Sequence, residues 1–338
     1  GNGGLSFSAS GKKENEQLIT RLDGNFGEFQ LDVTASVLSL QETSGASVNA
    51  QISGPNFGRV ARLLDLKGWP EGHFDMNTQV RRPDNGLEID AFELSLAGSE
   101  VRLSGVIPDF PRAGGSEISL LVSGDDLAPF REITGLPPLP KGAFSLEGEV
   151  SASSDGKTRI DLAYAMPLAS GTLNGIVGEG ESLVGSDLAL MANGEDAAAL
   201  GRLFEIDGLA AEPWSTTAGI RIEHPEYVRL SEALFTTSGL TAGLTGIVGT
   251  TSLDKHTDIQ ISVSGEQLSD FQVLAGDAAS LPAQPFSLAG RATAEAATWK
   301  LQGMNGNAGT TKFSLDGTLG KRPSLAGSDL QVSAEGTD

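Results

Sequence analysis

The chain contains no cysteine. That excludes a disulfide framework, a cysteine-ligated zinc cluster and a thiol nucleophile. Aromatic residues are scarce, at 6% of 338 positions. No apolar run approaches the roughly 20 residues that a membrane-spanning helix needs. Positive charge is also in short supply: 23 Lys and Arg face 44 Asp and Glu, which leaves a net charge of −21. Such a surface repels nucleic acid, whose binding requires cationic side chains to displace counterions. The first residues, Gly1-Asn2-Gly3-Gly4, show neither the charged n-region nor the apolar h-region of a signal peptide. The chain therefore reads as an excerpt of a larger protein. What is plentiful is glycine, with 44 residues, close to twice the usual share.

The glycines are spaced regularly. Leu103-Ser104-Gly105 returns as Leu173-Asn174-Gly175, Leu244-Thr245-Gly246 and Leu315-Asp316-Gly317. A second series, Gly54, Gly124, Gly194, Gly265 and Gly336, keeps the same period of about seventy residues. Gly115-Ser116-Glu117-Ile118 matches Gly185-Ser186-Asp187-Leu188 and Gly327-Ser328-Asp329-Leu330, while the third copy departs as His256-Thr257-Asp258-Ile259. A register held over four copies marks a repeat array, in which each unit buries its apolar face only by stacking on its neighbours. The expected divisions are residues 1–47 as the tail of a preceding repeat, then 48–117, 118–187, 188–258 and 259–328, with 329–338 opening a further one.

Within a repeat the elements are legible. Val48, Ala50 and Ile52 alternate with polar residues as in a half-buried strand. Gly54-Pro55-Asn56 breaks it, and Asn56 is placed to cap a helix reaching about Leu66, with Phe57, Val60, Leu63 and Leu64 on one face. Asp126 and Asp196 take the cap position in the next copies, and Gln267 is a poorer substitute. Phe74, Met76, Thr78 and Val80 form one side of a second strand. Pro83-Asp84-Asn85-Gly86 turns into a third strand over about 87–96, and Gly98 reverses the chain again. The fold class implied is mainly β with short helices. We expect an elongated repeat array in a curled, mostly antiparallel sheet shaped like a groove or taco. Each repeat of about 70 residues would carry one short helix. Four strands per repeat at about 4.8 Å would give a body of order 80–100 Å.

One strand face is apolar throughout. Its candidate ligand-lining residues are Phe74, Met76, Val80, Val101, Leu103, Phe144, Leu146, Val150, Ile160, Leu162, Leu173, Ile220, Ile222, Leu244, Ile261, Val263, Leu288, Leu301, Phe313 and Leu315. An apolar sheet face needs a cover, and short helices supply only part of one, so the sheet either closes or curls into an oily trough.

Phe144-Ser145-Leu146-Glu147-Gly148, Phe286-Ser287-Leu288-Ala289-Gly290, Leu136-Pro137-Pro138-Leu139-Pro140 and Leu281-Pro282 set out a unit that resembles the AsmA-like repeats of Gram-negative envelope proteins, the group that includes AsmA, TamB and YhdP. The resemblance covers nearly the whole chain. It implies a periplasmic location within a protein anchored in the inner membrane by a helix outside this chain. It also implies an apolar β-groove that conducts phospholipid between the membranes, in support of outer-membrane biogenesis. Phospholipid acyl chains would be the ligand, and envelope proteins of the inner and outer membranes are candidate partners. It brings no catalytic residue, cofactor or metal. The competing expectations are a structural envelope scaffold with a closed, packed interior, and a protein-docking platform.

The residues themselves give little support to chemistry. Gly-x-Ser-x-Gly, His-Glu-x-x-His and the Walker loop are all absent, and the expectation is a protein that is not an enzyme. Carboxylates are numerous enough to supply a glycosidase pair, although a uniform array is an odd place for one pocket. His73, His224 and His256 lie far apart, as turn residues rather than metal ligands. Trp69, Trp214 and Trp299 are expected to pack or to sit at edges. The doublets Asp125-Asp126 and Glu195-Asp196 fit helix capping better than calcium.

Overall fold

The computed structural model describes residues 5–14, 17–38, 45–134, 138–180, 182–204, 206, 209–250, 252, 255–271, 281–295, 298–320 and 326–336. Strand predominates over helix among the described residues, which settles the class as mainly β. The chain divides into two compact units, Gly1–Pro167 and Leu168–Asp338, each built on antiparallel strands.

The first unit runs β1 (Leu5–Glu14), β2 (Gln17–Phe26), β3 (Phe29–Val37), β4 (Ala46–Gly54), α1 (Phe57–Leu63), β5 (Phe74–Arg82), β6 (Leu87–Leu96), β7 (Ser99–Ile107), β8 (Glu117–Gly124), α2 (Arg131–Thr134), β9 (Phe144–Ala152) and β10 (Thr158–Met166). The second runs β11 (Ala169–Val177), β12 (Asp187–Gly194), α3 (Ala197–Leu203), β13 (Trp214–His224), β14 (Tyr227–Thr237), β15 (Leu240–Gly249), β16 (Asp258–Gly265), β17 (Phe286–Glu295), β18 (Thr298–Ala308), β19 (Thr311–Leu319) and β20 (Asp329–Glu335). In each unit every strand pairs antiparallel with the next in sequence. Short turns enforce this order. Ala97 and Gly98 both have positive φ (52° and 78°), the backbone that a two-residue hairpin requires to match the strand twist.

The structure explains the Leu-x-Gly signature. Gly105, Gly175, Gly246 and Gly317 have φ between 129° and 152°, a region essentially closed to L side chains. A Cβ at Gly246 would lie 2.2 Å from the carbonyl oxygen of Asp258, and the other three copies make the same approach to Glu117, Asp187 and Asp329. In three copies the preceding strand carries a register shift beside this glycine, between Ile89 and Phe92, Leu230 and Ala233, and Leu301 and Met304. Such bulges bend and twist a sheet. The Gly-Ser-Asp-Leu signature has a separate cause. The Ser186 hydroxyl accepts from the Gly178 N–H at 2.9 Å, Thr257 accepts from Gly249 at 3.1 Å, and Ser328 accepts from Gly320 at 2.9 Å. In the first copy the matching position, eight residues before Ser116, is Pro108, which has no N–H. Ser116 keeps the donation to the carbonyl three residues back, Ala113 at 2.6 Å, as Ser186 does to Leu183 at 2.6 Å.

The helices differ from expectation. Asp196 caps α3 by accepting from the Ala199 N–H, and Asp126 accepts from that of Ala128. Asn56 sits at the N-cap of α1 with extended backbone, but its side chain makes no capping bond; its Nδ2 instead donates to Glu71 at 3.4 Å. Helix α1 ends at Leu63. Phe57 and Ala61 face inward, whereas Leu63 and Leu64 are 79% and 63% exposed: Leu63 stands about a third of a turn from Phe57 around the helix, and Leu64 follows the helix end with non-helical backbone, φ −96° and ψ 5°. A helix in every repeat is not established. The fourth copy shows only a 3-10 turn at Leu268–Phe271, and the expected helix position Leu274 lies outside the described residues, as do Leu136 and Pro137.

Candidate apolar binding face

Side chains directly opposite each other in an antiparallel pair lie on the same face of the sheet. The registers can therefore be followed from strand to strand. In the first unit one row runs Phe7, Gly24, Leu31, Ile52, Met76, Leu94, Val101, Val122, Leu146, Tyr164. A second row beside it contains Leu103 and Leu162, and a third contains Val80, Val150 and Ile160. None of the three rows carries a charged residue. At about 4.8 Å per strand, ten strands give each row an arc of roughly 45 Å.

The second unit repeats the arrangement. Leu173, Leu244, Ile261 and Leu315 share one row, Ile220 and Leu301 the next, and Val263, Leu288 and Phe313 a third. Ile222 stands on the same face, one step past Ile220 along β13. The rows through Ile220 and Val263 carry no charged residue, whereas the row through Leu244 is interrupted at the β13–β14 bulge, where Glu232 is the extra residue. The period-two alternation of the sequence thus becomes a surface because the registers stay in phase, even across the bulges.

Two of the twenty expected lining residues do not belong to an open surface. Phe74 and Phe144 begin β5 and β9, where α1 and α2 close over the end of the face. Phe74 is 1% exposed and packs edge-on against Phe57 at 5.2 Å; Phe144 meets Phe130 at 6.4 Å. With Leu94, Leu96 and Ala61 they form the hydrophobic core of this unit. Each buried phenyl contributes about 1.5–3 kcal/mol to stability, so these side chains hold the helices and are not available to a ligand. In the second unit Trp214 is similarly buried and stacks on Phe235 at 5.9 Å, and Ala197 of α3 is also buried. Trp69 and Trp299 are half-buried. The other eighteen lining residues are half-buried. Burial among them raises the Tyr164 phenol above its ordinary value.

The opposite face is polar and laced with ion pairs. Arg81 binds Asp90 through two nitrogens at 2.5 and 2.6 Å, Arg291 grips Asp258, and Arg221 reaches Asp187 at 2.8 Å. The guanidinium partners hold Asp90 and Asp258 below the usual carboxylate value. A hollow of about 310 Å³ lies beside α1, among Gly58, Ala61, Arg62 and Trp69, and two larger ones lie on this polar side. One of about 750 Å³ is lined by Asp23, Asp32, Asp75 and Glu93 with amides and serines of β1–β6. Another of about 710 Å³ lies over β13–β18, among Thr217, Gln260, Arg291 and Gln302. The apolar face is defined here by pairing register, and a groove shape is not established.

Among the described residues there is no group of three or more His, Asp or Glu placed to hold a metal ion. No described helix is long and apolar enough to cross a membrane. His73, His224 and His256 are all exposed, and the His224 ring stacks on Tyr227 at 4.9 Å. Comparison with protein-family models, with curated proteins and with solved structures returned no match.

Proposed function

We propose that this chain holds or conducts phospholipid along its apolar sheet face, as part of a periplasmic protein of the AsmA-like type. One observation carries the reading. Three adjacent cross-strand rows in the first unit and two in the second run ten strands without a charged side chain, and eighteen of the twenty expected lining residues on this face are half-buried rather than enclosed. The physics suits an acyl chain. Each CH₂ in water costs about 0.8 kcal/mol, so a 16-carbon tail costs on the order of 12 kcal/mol. A uniform apolar surface removes much of that cost without a deep well that would trap the lipid. The headgroup stays in solvent, and the mechanism requires no nucleophile or cofactor.

The test is site-resolved photocrosslinking of protein purified without detergent, followed by lipid extraction and mass spectrometry. A photoreactive residue at Leu162 or Leu244 is expected to capture phospholipid. The same residue at Glu147, on the polar face, and at Phe74, under α1, is expected to capture none. Equal capture at Glu147, or no phospholipid at any site and none co-purified, overturns the reading.

A further inference from the structure

On the polar faces of both units, hydroxyls and amides that stand opposite each other commonly bond across the strands. Ser36 meets Ser47 at 2.8 Å, Ser215 meets Thr236 at 2.7 Å and Ser287 meets Asn307 at 3.1 Å. The hollow of about 750 Å³ over β1–β6 is different. Two parallel rows line it. One is Ser8, Asp23, Asp32, Gln51, Asn77 and Glu93; the other is Ser6, Asn25, Gln30, Ser53, Asp75 and Ser95. Asn25 stands opposite Gln30, and Gln51 opposite Asn77. Yet among the described residues none of these amides bonds to another protein group through its side chain. Their donors and acceptors stay open to a ligand. Asp23, Asp32 and Asp75, by contrast, are already engaged. Arg21 reaches Asp32 at 2.8 Å and Asp23 at 3.2 Å, and the His73 ring meets Asp75 at 3.0 Å.

We propose that this hollow binds an extended, uncharged glycan laid across the strands. Its volume falls within the roughly 300–1,000 Å³ of small-ligand sites. Its spacing fits such a chain. Each strand contributes one polar group to each row, at about 4.8 Å per strand, close to the length of one sugar unit in an extended β-linked glycan. The rows lie two residues apart along each strand, about 7 Å, so they flank the chain on both edges, where its hydroxyls project. A hydroxyl donates and accepts, and so does an amide; the carboxylates accept from neighbouring hydroxyl pairs. The same lining disfavours other ligands. Among the described residues no Lys or Arg lines the hollow, whereas Asp23, Asp32, Asp75 and Glu93 do. That field repels phosphorylated, sulfated and uronic chains. Neither row carries an aromatic ring, so hydrogen bonds rather than stacking would hold the sugars. The inference goes beyond the lipid reading and is independent of it, since it uses the opposite face of the strands.

The test is isothermal titration calorimetry of the full chain with cellohexaose and N-acetylchitohexaose, and with hexagalacturonate as the charged control. At least one neutral hexasaccharide is expected to bind saturably, and hexagalacturonate to bind on the order of tenfold more weakly. Gln51→Ala and Asn77→Ala should each weaken the neutral sugar about threefold to tenfold, the loss of one or two net hydrogen bonds. Neither side chain has a protein partner, so both variants should melt with the unsubstituted chain. Glu147→Gln, on the polar face outside the hollow, should bind as the unsubstituted chain does. No saturable binding of either neutral sugar, hexagalacturonate bound as tightly, amide variants that bind unchanged, or hexalysine bound in place of the sugars overturns the proposal.

Discussion

Replacing Gly246 by alanine tests the account of the repeat signature most directly. The residue has φ of 129°, where a non-glycine residue costs about 1–3 kcal/mol. Its Cβ would also come 2.2 Å from the Asp258 carbonyl oxygen and 2.9 Å from the Ile259 Cα. Both are backbone atoms of β16, so no side-chain rotation relieves the overlap. The strands must part by about an ångström, which weakens ladder hydrogen bonds worth about 1 kcal/mol each. The expected loss is roughly 3–5 kcal/mol. Two controls separate the causes. Gly98 has φ of 78° with nothing within 4 Å, so Gly98→Ala should cost only about 1 kcal/mol of backbone strain. Gly239 has neither a left-handed φ nor a near neighbour, and Gly239→Ala should be neutral or stabilise by about 0.4–1 kcal/mol. Urea unfolding followed by fluorescence of Trp214 and Trp299 reports on the unit that contains Gly246. A Gly246→Ala midpoint equal to that of Gly239→Ala would refute the close-approach argument.

Ser186→Ala orphans the Gly178 N–H and should destabilise by about 1–3 kcal/mol, whereas Ser116→Ala leaves no donor stranded, since Pro108 has none, and should cost clearly less in the same urea titration. The polar face predicts an acid limb of stability. Asp90 and Asp258 have folded values below the ordinary 3.8, so their contribution is complete above that value and is lost as pH falls through the depressed one. Thermal melting should therefore be level above about pH 5 and should decline below about pH 4. Arg291→Gln should flatten part of that decline, and an unchanged profile in this variant would count against the assigned partner.

Much of the fold was legible because its signals are local. Alternation of apolar and polar residues at Val48–Ile52 and Phe74–Val80 needs only the pleat of a strand, and the turns at Asn85-Gly86 and Gly98 need only positive φ. The seventy-residue period marked the four-strand unit, and the apolar stripe named eighteen residues that the registers do bring onto one face of each unit. The capping role of Asp196 was readable for the same reason, since donor and acceptor lie three residues apart.

What tertiary structure decided was everything that depends on a neighbouring strand or on an element packed across the face. Phe74 and Phe144 carry the same alternation as Met76 and Leu146, yet they are core, because α1 and α2 happen to cover that end of their strands. Leu63 and Leu64 look like core from their spacing and are exposed, because the helix ends at Leu63 and no longer carries Leu64 onto the covered face. The spacing of Gly105, Gly175, Gly246 and Gly317 was plain in the sequence, but its cause, a carbonyl of the adjoining strand pressing on the missing side chain, exists only once the strands are paired. A sequence fixes which way each residue points along its own strand; what then lies opposite it or above it is settled by contacts between segments far apart in the chain.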